Sequence, residues 1–373
     1  MGALTSRTSI LIGLSVLYAA AVVPIASHNG ADFENHLPHI ERLIAGQPPY
    51  AEPAAVGLWW PPLALFTLTP FALMARLSLP LAKGAFALVG VACLAWTLLR
   101  FEYVRGAQLT WAIAAVAVPL ETNFEWLNWN TVLLALIVAA TLDLSRNRDV
   151  RAGVWLGIAT ALKVFPALLL LFAAYRGRWR TAISGASVAL MLSLLALLPL
   201  GIPGAIASGE EWLTQSNTGA WVLVRRNQSL LALLGRAGIP HPWALAADLA
   251  LVGVAALVLR RSSPGHDLEH DLAIVTLLAV IVSPIAWIHY YFLALPAWIG
   301  VIARAPAARP PWVRTMLVVA AVATSGLLTV WSYPSRVVLQ MHSLFAWGGL
   351  LLLAVLLVER LQQQTAGPAP SLT

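Results

Sequence analysis

Long apolar runs, separated by short loops that carry arginine, recur along this chain and constrain its fold more than any other feature. A helix of about 20 apolar residues is long enough to cross the hydrocarbon core of a bilayer. Charged residues make up only 10% of the chain, against about 25% in soluble domains. The sequence therefore predicts an all-α polytopic membrane protein. The runs are 8–26, 61–79, 82–99, 109–120, 130–144, 152–162, 164–175, 181–200, 243–259, 271–287, 288–303, 312–331 and 341–358.

The positions of the positive charges decide between two topologies. If the run 61–79 crossed the membrane, the arginine clusters at 146–151 and 176–180 would face outward. If it stays on the outer side, as its three prolines favour, 15 of the 23 Lys and Arg residues face the cytoplasm. The eight that do not are Arg42, Arg76, Lys83, Lys163, Arg225, Arg226, Arg236 and Arg336. The second topology satisfies the positive-inside rule. It predicts about twelve crossings of the plasma membrane and two cytoplasmic termini, and it explains the net charge of +7 without a nucleic acid partner.

Domain organisation is predicted to be simple. Residues 1–360 form a single membrane domain, and residues 361–373 have the polar, Gly- and Pro-containing composition of a disordered cytoplasmic tail. No internal repeat is visible, which disfavours a transporter built of inverted halves. The single cysteine, Cys93, excludes an internal disulfide and a cysteine-based metal site.

Two of the apolar runs, 152–162 and 164–175, are too short to span. About a dozen helical residues cover roughly 18 Å, whereas the hydrocarbon core is about 30 Å thick. We therefore expect a hairpin of short helices that turns within the membrane, with Lys163 and Pro166 at its tip. A lysine at that depth needs a partner. It either snorkels to the outer interface or waits for the phosphate or carboxylate of a substrate.

The segment 30–50, GADFENHLPHIERLIAGQPPY, follows the first apolar run and is predicted to face outward. An apolar stripe with helical spacing predicts an amphipathic helix that lies on the outer leaflet and ends at Gly46. The stripe consists of Phe33, Leu37, Ile40 and Ile44.

Within this segment, Asp32 either caps the helix or lies in the turn before it, because Pro38 is expected to start or kink the helix. The spacing of His36 and His39 permits a metal site with Asp32, but nothing else in the sequence demands one. The two histidines are therefore predicted either to take no part in the chemistry or to contact an acceptor substrate.

Three further polar stretches fall on the predicted outer side. In ETNFEWLNWN (121–130), Asn128 and Asn130 are either part of an aromatic belt or hydrogen-bond partners of a sugar. In RRNQSL (225–230), Asn227 or Ser229 caps a short helix, while the two arginines suit an anionic lipid or a lipid phosphate. His289, in the turn SPIAWIHYYFLALP, is either structural or a donor to phosphate.

Taken in order, these stretches resemble glycosyltransferase family 87, a family of GT-C type. Two departures are Trp60, where the family usually has Tyr, and LNWN, where a Gly-Gln-x-Asn element is common. The resemblance extends to about residue 295. Its elements are the pair Asp32-Phe33, IAGQPPY (44–50), WWPPLALFTLTPFAL (59–73), NWNTVLLAL (128–136), GIATALKVFPALLLL (157–171), NQSLLALLGR (227–236) and SPIAWIHYY (283–291).

The resemblance implies sugar transfer on the outer face, from a polyprenyl-phosphate donor to a glycolipid or a lipid-linked glycan. Mannose is the expected sugar and arabinofuranose the alternative, with no metal or other cofactor. A flippase for lipid-linked sugars, or another transporter, is the alternative class of protein.

The resemblance also implies roles for individual residues. Asp32 would be the general base of an inverting reaction. Lys163 and His289 would bind the donor phosphate, together with Arg225 or Arg226. The predicted contacts to the sugar or the acceptor are Glu34, Tyr50, Trp60, Asn128, Asn130 and Gln228.

Overall fold

The computed structural model describes residues 2–51, 60–101, 104–216, 222–260, 268–303 and 309–365. Within these ranges the backbone forms helices and a single isolated β-bridge, between Asn227 and Trp287, which confirms the prediction of an all-α fold. Short 3-10 helices lie at Leu198–Leu200, Ile288–Ala294 and Leu327–Thr329. The α-helices are α1 Gly2–His28, α2 Ala31–Ile44, α3 Pro62–Thr67, α4 Thr69–Ala75, α5 Leu79–Leu99, α6 Gly106–Ala114, α7 Ala117–Trp126, α8 Asn130–Ser145, α9 Asp149–Leu162, α10 Ala167–Tyr175, α11 Trp179–Leu197, α12 Gly201–Ser216, α13 Leu230–Arg236, α14 His241–Arg260, α15 Leu268–Ile281, α16 Leu295–Ala303, α17 Pro311–Ser325, α18 Tyr333–Met341 and α19 Leu344–Thr365.

Several helices are long and apolar enough to cross a membrane, so the chain is a polytopic membrane protein. In the described part there are five such segments, and a sixth if α7 and α8, which meet at a bend of 120°, form one broken span. The count of about twelve crossings stays a prediction. The five segments are Thr8–His28, Leu79–Leu99, Trp179–Gln215, His241–Arg260 and Leu344–Gln363.

The run 61–79 is not a straight span. It contains α3 and α4, of 6 and 7 residues, which are separated at Leu68. Each helix has a proline in its first turn, where the missing N–H costs nothing. The prolines therefore divide the run, as the sequence predicts.

The predicted pair of short helices is present as α9 and α10, which have 14 and 9 residues. At 1.5 Å per residue they measure about 21 and 14 Å, less than the bilayer core. α9 packs closely on α11 through glycines. A Cβ added at Gly157 would lie only 2.5 Å from the carbonyl oxygen of Gly185. This small-residue packing fixes α9, and with it the segment that follows.

Two boundaries differ from the prediction. The chain after the apolar run 181–200 continues as α12, because the apolar side chains of Ile202, Ile206 and Leu213 sustain a helix beyond the break at Leu198–Leu200. The predicted tail begins as helix, since α19 continues to Thr365. The rest of the tail, residues 366–373, lies outside the described residues.

The chain divides into two compact units. Unit 1 comprises Met1–Tyr103 and Leu120–Trp221, and unit 2 comprises Val104–Pro119 and Val222–Thr373. In unit 1, α5 packs on α1 and α8, and α9 packs on α8 and α11. In unit 2, α15 is buried along most of its length against α16 and α19.

Candidate active site

Gly30 sets where α2 begins and therefore where Asp32 lies. Its φ of +57° is left-handed, and its N–H donates to the carbonyl oxygen of Glu125, at the end of α7, over 2.8 Å. A Cβ there would lie 2.7 Å from Cδ1 of Leu127. Because the helix starts at this contact and not at Pro38, Asp32 lies in the first turn of α2. The prediction that Asp32 precedes the helix is therefore wrong, and Asp32 is not its N-cap.

Asn128 lies at the break between α7 and α8. The preceding residue, Leu127, has a φ of +55°, which is uncommon for a residue with a side chain and turns the chain sharply. The amide nitrogen of Asn128 donates to Oδ2 of Asp32 over 2.6 Å. Its amide oxygen accepts a hydrogen bond from the Lys163 ammonium over 2.6 Å, and another from the N–H of Trp129. Asn128 thus connects an acid on α2 to a lysine at the end of α9.

Lys163 is buried in the extended segment that follows α9, with 4% of its surface exposed. The expectation that this lysine has a partner is confirmed, and the partner is Asn128 rather than solvent at an interface. The Asp32 carboxylate also lies close enough to interact electrostatically with the Lys163 ammonium.

His36 lies one turn after Asp32 on α2. Its Nδ1 is 2.6 Å from the backbone carbonyl of Asp32, which can only accept, so Nδ1 carries the proton. The ring stacks on Trp60 with 3.9 Å between centroids and 18° between planes. Burial lowers the pKa of His36 to about 3, so the imidazole is neutral near pH 7. No described residue forms a hydrogen bond with Nε2 of this buried ring.

The loop that follows α2 is tied to the same cluster. Nδ1 of His39 donates to the carbonyl of Pro49 over 2.7 Å, and the hydroxyl of buried Tyr50 donates to the carbonyl of Trp60 over 2.9 Å. The Trp60 ring also meets Trp129, with 6.4 Å between centroids. Trp60 therefore lies against His36, one turn from Asp32, and Tyr50 is tied to Trp60; sugar contacts by Tyr50 and Trp60 stay predictions. The described residues contain no group of three or more His, Cys, Asp or Glu that could hold a metal ion.

Glu34 and Asn130 were also predicted to bind sugar. The Glu34 carboxylate forms an ion pair with Lys83 of α5, whose ammonium also donates to the carbonyl of Asn29 over 2.8 Å. This pair was not foreseen, although Lys83 is one of the eight positive charges that the topology leaves outside. Asn130 is fully buried as the first residue of α8. Sugar contacts by either residue stay predictions.

Gln228 in unit 2 is engaged by the protein itself. Its amide nitrogen donates to the carbonyls of Arg225 and Gln340, and its amide oxygen accepts the N–H of Phe345. These contacts give Gln228 a structural role, so its predicted contact with sugar lacks support from the geometry. The neighbouring Ser229 caps α13 by accepting the N–H of Ala232 over 3.1 Å, which confirms one of the two caps proposed for that helix.

The remaining predicted phosphate ligands also belong to unit 2. His289 is buried in the 3-10 helix Ile288–Ala294, beside the ring of Tyr290. Arg225 is half-buried and donates to the Tyr333 hydroxyl over 3.1 Å, and Arg226 is exposed. Their binding of the donor phosphate stays a prediction.

Comparison with known proteins identifies the class. Residues 59–284, more than half of the chain, match glycosyltransferase family 87. The protein is therefore a membrane glycosyltransferase, an enzyme that transfers sugar. It belongs to glycosyltransferase family 87, as the ordered sequence elements indicate. No solved structure matches the chain.

Curated relatives come from mycobacteria. The chain is 28% identical, over 78% of its length and 72% of the relative's, to a polyprenol-phosphate-mannose-dependent alpha-(1-2)-phosphatidylinositol mannoside mannosyltransferase of Mycolicibacterium smegmatis. It is 26% identical to the protein of the same description from Mycobacterium tuberculosis, over 64% of this chain and 60% of that one. A phosphatidylinositol pentamannoside mannosyltransferase of M. smegmatis is 25% identical, over 64% and 59% of the two lengths.

Proposed function

We propose that this enzyme transfers mannose from a polyprenyl-phosphate donor to a mannosylated phosphoglycolipid. Its mycobacterial relatives are named for this donor and this kind of acceptor. The observation that carries the proposal is the hydrogen-bonded series of Asp32, Asn128 and Lys163, which places a base and a cation next to each other.

The reaction needs a base for the acceptor hydroxyl and positive charge for the departing phosphate. In the proposed step, the Asp32 carboxylate takes the proton of the acceptor hydroxyl. At the same time the oxygen of that hydroxyl forms a bond to the anomeric carbon of mannose. The bond from that carbon to the phosphate oxygen breaks, and its electron pair leaves with the polyprenyl phosphate. Attack opposite the leaving group inverts the anomeric configuration.

Asn128 and Lys163 prepare Asp32 for this role. The hydrogen bond from the Asn128 amide favours the ionised carboxylate and holds it in one orientation. Lys163 supplies a buried positive charge that the donor phosphate can share. In this proposal His289 is the second phosphate ligand.

The topology belongs to the same proposal. We place α2 and the α7–α8 bend on the outer side of the plasma membrane and let the segment after α9 turn within the membrane, with about twelve crossings and both termini in the cytoplasm. Support comes from the distribution of 15 of the 23 positive charges to the other side.

A transfer assay with purified protein in detergent tests the function. Labelled polyprenyl-phosphate mannose, mixed with phosphatidylinositol mannosides, is expected to yield a mannolipid with one more sugar. Polyprenyl-phosphate arabinofuranose, assayed in parallel, is expected to yield none. Product from arabinofuranose alone would overturn the choice of sugar. If movement of donor across sealed vesicles occurs without transfer in detergent, the enzyme assignment fails.

His36 is proposed as an acceptor contact, since its Nε2 is a buried acceptor atom one turn from Asp32. His36→Asn keeps a donor at the Nδ1 position but nothing at Nε2, whereas His36→Gln keeps a group near Nε2. We expect His36→Asn to lower kcat/KM for the acceptor about fivefold, the value of one hydrogen bond near 1 kcal/mol, and His36→Gln to lower it less. The donor KM serves as the internal control. Equal kcat/KM for His36→Asn and the wild type would contradict this role.

A further inference from the structure

The segment from Leu327 to Met341 presents aromatic and apolar side chains outward. Trp331 and Tyr333 are 82% and 65% exposed. Tyr333 is the first residue of α18 and Trp331 lies two residues before it, while Gln340 near the end of the helix is buried. Exposed Trp and Tyr next to an amphipathic helix are typical of chain that lies at the membrane–water interface. Further exposed apolar residues in this segment are Leu327, Leu328, Val330, Val338 and Met341.

Arg225 contacts this segment through the uncharged side chain of Tyr333. Its guanidinium lies over the Tyr333 ring, 5.8 Å from the centroid, and donates to the Tyr333 hydroxyl over 3.1 Å. Its Nε is buried, and no residue in the described part of the chain forms a hydrogen bond with it. Arg336, one turn after Tyr333, is exposed and donates from Nε to the carbonyl of Thr329 over 3.3 Å.

These two arginines differ from others in the protein. The buried guanidinium of Arg360 faces the Asp271 carboxylate at 3.1 Å, and Arg309 forms a two-bond pair with Glu359. Arg225 and Arg336 form no ion pair with a described carboxylate. Both also belong to the eight positive charges that the proposed topology leaves outside, against the usual preference.

We infer that Arg225 and Arg336, with Trp331 and Tyr333, form a binding site for an anionic phospholipid of the bilayer. The two guanidiniums supply charge-assisted hydrogen bonds to the lipid phosphate, which arginine recognises well. Trp331 and Tyr333 lie against the glycerol and the upper acyl chains. Lipid binding here is separate from sugar transfer, so it can be measured without donor or turnover.

Native mass spectrometry of the full-length protein in detergent tests this site. The wild type is titrated with phosphatidylinositol, phosphatidylcholine or inorganic phosphate, and phosphatidylinositol is expected to bind most tightly. In Arg225→Gln/Arg336→Gln its affinity should fall at least tenfold, since each charge near a membrane surface is worth about 1 kcal/mol. Phosphatidylcholine binding should stay unchanged. Arg336→Gln alone, which changes only an exposed side chain, should show an intermediate loss.

The matched control is Arg146→Gln/Arg180→Gln, which removes two exposed arginines elsewhere and the same total charge. It is expected to bind phosphatidylinositol like the wild type. An equal loss in the control would mean general electrostatic attraction and would overturn the site. Unchanged phosphatidylinositol affinity in the double variant would also overturn the site. If that variant instead lost affinity for the polyprenyl-phosphate donor, the two arginines would belong to the donor site. Equally tight binding of inorganic phosphate would show that no lipid is recognised.

Discussion

Replacement of Asp32 by asparagine is expected to abolish sugar transfer while the protein stays folded and binds its donor. Asparagine has the same shape as aspartate and can still form a hydrogen bond with Asn128. It cannot accept the proton of the acceptor hydroxyl. Because general base catalysis contributes about 10²- to 10⁴-fold, kcat should fall by at least two orders of magnitude. The measurement is single-turnover transfer from labelled donor, with donor affinity determined on the same preparation.

Glu41→Gln is the matched control for Asp32→Asn. Glu41 lies on the same helix, and its carboxylate forms an exposed ion pair with Arg76 of the α4 C-terminus. Exposed pairs contribute about 1 kcal/mol or less to stability, and this one is remote from the proposed chemistry. Transfer by Glu41→Gln should therefore match the wild type. A native rate in Asp32→Asn would show that another group is the base.

Replacement of Lys163 by methionine is expected to weaken donor binding strongly while the protein stays folded. Methionine keeps the length and packing of the buried side chain and removes only the ammonium. A hydrogen bond to a charged group is worth about 1.5–3 kcal/mol, so the donor Kd should rise roughly 10- to 100-fold. Equilibrium binding of a labelled polyprenyl phosphate measures the change without turnover.

Lys83→Met provides the comparison, since Lys83 is the other buried lysine of unit 1 and is paired with Glu34. Its donor affinity should stay at the wild-type value. His289→Ala, measured beside it, should lower donor affinity as Lys163→Met does. If donor affinity is unchanged in both Lys163→Met and His289→Ala, neither residue binds the phosphate.

The helical elements follow closely from the apolar pattern. The run predicted at 82–99 is α5, Leu79–Leu99, and the run at 130–144 is α8, Asn130–Ser145. Agreement is good there because a long apolar run has few alternatives to a helix in lipid. It is poorer at α12, where glycines and a proline suggest a loop but apolar side chains sustain a helix.

The sequence identifies the residues of the candidate site, but it does not predict the contacts between them. Asp32, Asn128 and Lys163 each stand out in the sequence, but Asp32 and Asn128 are 96 positions apart and Asn128 and Lys163 are 35 apart. The tertiary contact of Gly30 with the end of α7 helps to bring the first two together. His36 lies four residues after Asp32, which places both on the same face of a helix, so their proximity could be predicted from spacing alone.

Because α9 packs closely on α11 through glycines, the position of the Lys163 ammonium depends on residues that have no side chain. Gly157 lies five residues before the end of α9 at Leu162, about 8 Å along the helix, and Lys163 follows directly. Gly153 and Gly185 complete the contact. A methyl group at Gly157 would force α9 outward and carry the Lys163 ammonium away from Asn128. Saturation mutagenesis of this enzyme should therefore return inactive variants at these three glycines in which every reacting group is intact.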